Sequence, residues 1–160
     1  MKDKQTVPGP RPWLFVLAAL LSLVGLADSI YLTVTHLTGE NAACFASSGC
    51  SEVLASAYAS VGKIPLAAFG ALGYFTAFSC SVLAAFGYPR ARSFLTVLVA
   101  GMLATTLWLL YVQAFVLYAF CDFCLISAAL TLSLSAIVAA SHFIERRRRS
   151  AAKQAIRRES

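Results

Sequence analysis

The sequence predicts an all-α integral membrane protein, a bundle of four transmembrane helices with a short amphipathic helix in its first extracytoplasmic loop. Three observations carry that expectation. Of 160 residues, 59% are apolar and only 12% charged, with a mean hydropathy of +0.76, whereas about a quarter of a soluble domain is charged. The apolar residues are gathered into four long runs. The 13 Lys and Arg, against 7 Asp and Glu, cluster at the ends of those runs. A large soluble enzyme fold is excluded, and one membrane domain of about four spans of roughly 20 residues fits the length.

In chain order the layout is a polar N-terminus (1–12), a first span from Trp13 to Leu37, a long loop (38–64), and a second span from Pro65 to Phe86. A short turn (87–93), a third span from Phe94 to Phe120, a junction at Cys121-Asp122, a fourth span from Phe123 to Ile144 and a basic tail (145–160) complete it. At 1.5 Å per residue, each run is long enough to cross a bilayer core of about 30 Å as a helix. The runs are continuous and rich in Ala and Leu, without the alternating dyads of a membrane barrel. The first run is preceded by basic residues, as a signal peptide is. Secretory h-regions run only about 7 to 15 residues, and no small-x-small cleavage site follows, so an uncleaved span is expected.

Orientation follows from counting. Lys2, Lys4, Arg11, Arg90, Arg92, Arg146, Arg147, Arg148, Arg149, Lys153, Arg157 and Arg158 fall on one side, and only Lys63 on the other. Cytoplasmic flanks collect Lys and Arg, so both termini and the 87–93 turn are expected in the cytoplasm of a cell whose inner (cytoplasmic) membrane holds the protein. The tail reads as a positive-inside anchor, each basic residue contributing on the order of 1 kcal/mol against anionic lipid. Its last dozen residues are expected to be disordered. A charge run alone does not make a nucleic-acid site.

Four of the five cysteines, Cys44, Cys50, Cys121 and Cys124, map to the outer face, in two groups separated by two whole spans. Thiols outside the cytoplasm lie where disulfides form and persist. Cys121-Asp122-Phe123-Cys124 is a CxxC where the third span ends and the fourth begins, a spacing that puts both sulfurs on one face of a first helical turn. The helix N-terminus favours the thiolate, while Asp122 and the apolar surroundings oppose it. Cys44 and Cys50 bracket a stretch of small residues. After it, Val53, Leu54, Ala57, Tyr58 and Val61 fall at helical spacing, the stripe of a short helix on the membrane surface, with Glu52 in its first turn. Exchange between the pairs would need a thiolate brought directly to a disulfide sulfur. Static structural disulfides, a non-enzymatic reading, compete with that one. A zinc site would need four thiolates in tetrahedral array and is uncommon at a lipid surface, so no metal is expected. Cys80, alone inside a span, reads as a packing residue.

A spaced cysteine pair before a short amphipathic segment, Ser56 six residues after Cys50, the stretch Gly62-Lys63-Ile64-Pro65-Leu66-Ala67-Ala68-Phe69-Gly70, and a CxxC opening the last of four helices together resemble the vitamin K epoxide reductase family, in particular its bacterial homologues. The resemblance covers roughly residues 13–144. It implies a relay in which a reduced thioredoxin-like or DsbA-like protein hands electrons to Cys44, Cys50 exchanges with Cys121, and Cys124 reduces a membrane quinone, menaquinone or ubiquinone. The outcome would be disulfide formation outside the cytoplasm. Ser56 resembles the family's serine near the quinone. Animal members place an Asn and a Tyr near the quinone oxygens, and the corresponding positions here, Leu66 and Ala128, have no side-chain donor; plain quinone reduction is therefore favoured over epoxide reduction. Many bacterial relatives carry a fused thioredoxin-like domain, whereas only 16 residues follow Ile144, so the partner is expected to be a separate protein. DsbB-type quinone-linked oxidases are also four-helical with two outer pairs, but there the CxxC comes first.

Further candidates are single residues. Asp28 is an ionisable group about 13 Å inside the first span at 1.5 Å per residue, a costly placement that suggests proton handling beside the quinone. Tyr31, Phe69, Tyr111, Phe115, Tyr118, Phe120 and Phe123 are candidate aromatic walls for an apolar quinone pocket, Phe69 and Phe123 foremost. The same residues suit the lipid border equally well. His36, at the outer end of the first span, reads as an interfacial residue with a possible part in proton or thiol chemistry.

Overall fold

A computed structural model describes residues 12–38, 49–56, 58–62 and 64–159. It contains five α-helices: α1 (Pro12–Thr38), α2 (Cys50–Ala55), α3 (Leu66–Ala85), α4 (Pro89–Val112) and α5 (Asp122–Glu159). A two-stranded antiparallel hairpin, β1 (Ser60–Val61) and β2 (Ile64–Pro65), precedes α3, and a π-helical turn at Gln113–Leu117 extends α4. Four helical stretches, Pro12–Thr38, Leu66–Ala85, Pro89–Leu117 and Asp122–Arg147, are long and apolar enough to cross a membrane. α1 packs on α3 and α5, and α4 packs on the same two helices, so the four close into a ring.

With no hydrophobic drive between helices in lipid, close approach of backbones and interhelical hydrogen bonds hold such a bundle together. α1 turns a stripe of small residues inward, Ala18, Ser22, Gly25 and Ser29, all buried. A Cβ on Gly25 would run into the Tyr74 ring of α3. The Tyr74 hydroxyl in turn meets the Ser127 and Thr131 hydroxyls of α5 at 2.9 and 2.8 Å and donates to the Ser127 carbonyl at 2.9 Å. Phe15, Ala77, Cys80, Leu95, Val99 and Leu134 surround this tie in the main core cluster, where Cys80 is a buried free thiol. Lipid cannot hydrogen-bond hydroxyls, and several are satisfied within their own helices: Ser22 donates to the Ala18 carbonyl, Thr33 to Ser29, Thr76 to Leu72 and Ser135 to Thr131, whereas the buried Ser81 hydroxyl has no partner among the described residues.

Three elements differ from the sequence expectation. The surface helix after Cys50 is only six residues long: Ser56 turns extended at φ −68°, ψ 153°, and its hydroxyl donates to the Val53 carbonyl at 2.7 Å. The chain then forms the hairpin, whose turn uses Gly62 at φ +67°, a conformation that costs glycine nothing. Local side-chain bonding thus ends the helix before the apolar stripe does. At the opposite end of the bundle the predicted 87–93 turn shrinks to Phe86–Tyr88, because Pro89 opens α4, the first helical position being the one where a missing N–H costs nothing. Finally, α5 continues to Glu159 where disorder was expected, since Ala, Arg, Lys and Gln are strong helix formers. The predicted outer cysteine Cys44 lies outside the described residues.

Candidate functional site

α2 brings Cys50 to the junction between α4 and α5. Cys50 is its first residue, 1% exposed, and shares a buried cluster with Leu32, Val53, Ala119, Cys121 and Phe123. The approach is possible because residue 49 is glycine. A Cβ there would lie 2.8 Å from the Phe120 carbonyl oxygen and 3.1 Å from the Ala119 methyl, closer than real side chains come. Cys50 is disulfide-bonded, whereas Cys121 and Cys124 are free thiols.

The junction is irregular for identifiable reasons. After the π-helical turn, Tyr118 adopts the left-handed conformation at φ 50°, ψ 28°, uncommon for a residue with a side chain. The Ala119 N–H closes back onto the Gln113 carbonyl at 3.3 Å. Cys121 then caps α5, with its carbonyl accepting from Leu125 N–H at 3.0 Å. Its sulfur receives a hydrogen bond from the Cys124 thiol and further bonds from the backbone N–H groups of Cys124 and Phe123. Against burial and the Asp122 charge, which oppose it, the Cys124 hydrogen bond above all lowers the Cys121 pKa to about 7. The contest foreseen between helix N-terminus and Asp122 is therefore decided for the thiolate, chiefly by the second cysteine.

One side chain that the sequence reading passed over braces the pair. Gln113 is 3% exposed; its Oε1 accepts from Cys121 N–H at 3.2 Å, and its side chain also hydrogen-bonds the Cys124 thiol. It is the only Asn or Gln in the four apolar runs, and a polar residue within a span is a functional signal. That signal was available and weaker than the cysteines beside it.

Cys124 lines an apolar cavity of about 140 Å³ that is bounded by all four long helices, α2 and the hairpin. An apolar cavity of about 150 Å³ accepts a benzene-sized ring. Ser56, Gln113, His36, Tyr58, Thr106 and Ser127 are the main polar residues among those that line it, and Leu66 and Ala128 line it too. The two positions expected to lack donors are thus part of this cavity. The aromatic candidates are distributed elsewhere. Phe69, Tyr111, Phe115, Tyr118 and Phe120 are exposed on the outside of the bundle, with Trp108, Tyr111 and Phe115 forming a ladder of ring contacts at 6.1 and 5.1 Å. Phe123 is buried against Tyr31 of α1, with ring centroids 5.0 Å apart, and so fastens the CxxC to α1. Asp28 does not line the cavity; it lies within electrostatic reach of Cys124, and no hydrogen-bond partner reaches its buried Oδ2 among the described residues.

Two cysteine stations in one buried cluster, the second opening on an apolar cavity inside a four-helix bundle, are matched by sequence comparison: the family model described as "Vitamin K epoxide reductase family" covers residues 16–139. The chain belongs to that family. As a vitamin K epoxide reductase family member it is a membrane thiol oxidoreductase, and the match runs from Val16 in α1 through the hairpin to Ala139 in α5, so the residues that build the site lie within it.

Proposed function

We propose that this vitamin K epoxide reductase family protein passes electrons from a separate thioredoxin-like or DsbA-like thiol protein, through Cys44 and Cys50 and then Cys121 and Cys124, to a menaquinone or ubiquinone in the cavity. The observation that carries the reading is that Cys124 lines the cavity while Cys121 shares a buried cluster with Cys50. Each step moves two electrons and two protons. The partner's dithiol reduces the loop disulfide, the loop dithiol reduces the Cys121–Cys124 disulfide, and the resulting dithiol reduces quinone to quinol while its own disulfide re-forms.

Within the second step Cys50 attacks the Cys121 sulfur, releasing Cys124 into the cavity wall. Cys44 then attacks Cys50 and releases Cys121. A thiol of low pKa leaves faster, and Cys121, at about 7, suits that role. Asp28, within electrostatic reach of Cys124, is the proton-handling group in this reading, and Ser56 supports the quinone side. Leu66 and Ala128 offer no side-chain donor, which favours a quinone over an epoxide as substrate. The Lys and Arg asymmetry supports an orientation with both termini in the cytoplasm and the cysteine pairs on the outer face, where the product would be disulfide bonds.

The test is turnover in membranes with a reduced thioredoxin-like protein and a soluble quinone. Wild type should reduce quinone, Cys124→Ser should not, and Cys50→Ala should strand Cys44 in a mixed disulfide with the partner. Unchanged turnover in Cys124→Ser would refute the relay.

A further inference from the structure

The orientation of the Gln113 amide is fixed by its neighbours. A backbone N–H only donates, so the atom facing Cys121 N–H at 3.2 Å is the carbonyl oxygen, and the NH2 group is left to donate elsewhere, on a side chain that interacts with Cys124. One buried side chain thus bonds the first residue of the CxxC and interacts with its last. The same side chain lines the cavity beside Cys124.

In the dithiol the interaction with Cys124 favours the thiolate on Cys121, which does not line the cavity. Reduction of a quinone by Cys124 needs that charge on Cys124 instead. Transfer of the Cys124 proton to Cys121 creates an anion at the cavity wall. In a site shielded from water such an anion needs a donor, and a hydrogen bond to a charged group contributes about 1.5–3 kcal/mol.

We propose that Gln113 is the positioning residue of the CxxC: its oxygen holds the Cys121 backbone in place, and its NH2 group donates to the Cys124 sulfur and stabilises negative charge there during quinone reduction. This rests on the relay proposed above and adds the residue that selects which of its two sulfurs faces the acceptor as the anion. No bond to Gln113 forms or breaks; two electrons and two protons leave the Cys121–Cys124 dithiol for the quinone as before.

Two variants separate the two ends of the amide. Gln113→Met keeps the shape and loses both bonds. Gln113→Glu keeps an oxygen for Cys121 N–H and loses the NH2 donor. The first measurement needs no quinone: in full-length protein carrying Cys121→Ser, alkylation of Cys124 by iodoacetamide is followed by peptide mass as a function of pH. Both variants should slow it about tenfold near pH 8, with the gap closing as pH rises. The second is the kinetic split with a soluble quinone in the otherwise native chain, where kcat should fall about tenfold or more with KM within twofold. Wild-type labelling in Gln113→Glu overturns the proposal, because a mere tie to the Cys121 backbone would then suffice; slowed labelling with unchanged kcat overturns it as well. Absence of quinone turnover in the wild-type protein sinks the relay itself, and the labelling still decides the role of Gln113.

Discussion

At the end of the bundle that carries Arg90, Arg92 and Arg146, α3 and α4 are joined by Phe86–Tyr88 alone, and the contacts are static ones. The Arg92 guanidinium lies 5.3 Å over the Phe15 ring and reaches the Ala84 carbonyl at 3.5 Å, the Thr96 hydroxyl meets His142 Nε2 at 2.6 Å, and Arg147 sits 4.6 Å over Phe143. At the cysteine end hardly any helix passes cleanly into the next: α2 stops after six residues, a hairpin intervenes, α4 widens into a π-turn, and Tyr118 is left-handed. Departures of this kind concentrate at functional sites. The difference teaches where this chain spends its irregularity. Ordinary helix ends suffice to hold four spans together, whereas presenting two cysteine stations to each other and one to a cavity requires bends that regular helices do not make.

The comparison is broken most completely by Cys124→Ser, which should abolish quinone-linked thiol oxidation while leaving the thermal midpoint of the purified protein within a few degrees of wild type. Acidity comes next. Because the Cys121 pKa is lowered to about 7, its thiolate is present above that pH and falls about tenfold for each unit below it. Ultraviolet thiolate absorbance of reduced protein with Cys44, Cys50 and Cys80 replaced by Ser should therefore rise with a midpoint near 7, and a midpoint near the ordinary thiol value would remove the Cys124 hydrogen bond as its cause. Gly49→Ala places a methyl against the Phe120 carbonyl oxygen; such overpacking costs typically 1–3 kcal/mol, and exchange between the pairs, followed by trapping the Cys50–Cys121 mixed disulfide, should slow about tenfold. The smallest effect belongs to the opposite end. Thr96→Val removes the bond to His142 and should lower stability by about 1 kcal/mol with kcat unchanged, so a loss of turnover there would erase the distinction between the two ends.

Much of this architecture was legible in the residues. The four spans were, because continuous apolar runs and clustered Arg and Lys are local signals that lipid enforces. The CxxC at a helix start was legible for the same reason. What escaped depends on particular hydrogen bonds and packing contacts, near and far along the chain, that periodicity does not encode. The end of α2 is set by a Ser56 hydroxyl turning back to Val53, which overrides an apolar stripe that does continue at helical spacing. Phe69, Tyr111 and Phe115 carry the right composition for a pocket, yet a helix has two sides and periodicity in a span that is apolar all round cannot say which faces lipid. Gln113 was visible as the one amide in the spans, but its two partners lie eight and eleven residues further on, around a π-turn that no pattern announces.

Cys50 and Cys121 are 1% and 0% exposed, and in the proposed relay that burial amounts to electrical insulation. A sulfur that presents no surface is out of reach of dissolved peroxide and small thiols, which react only on contact. In that relay the wire meets its reactants at two terminals, the loop cysteine assigned to the partner and the Cys124 that lines the cavity. Leakage along its length is suppressed by geometry, and the current through it is set by what is allowed to touch the ends.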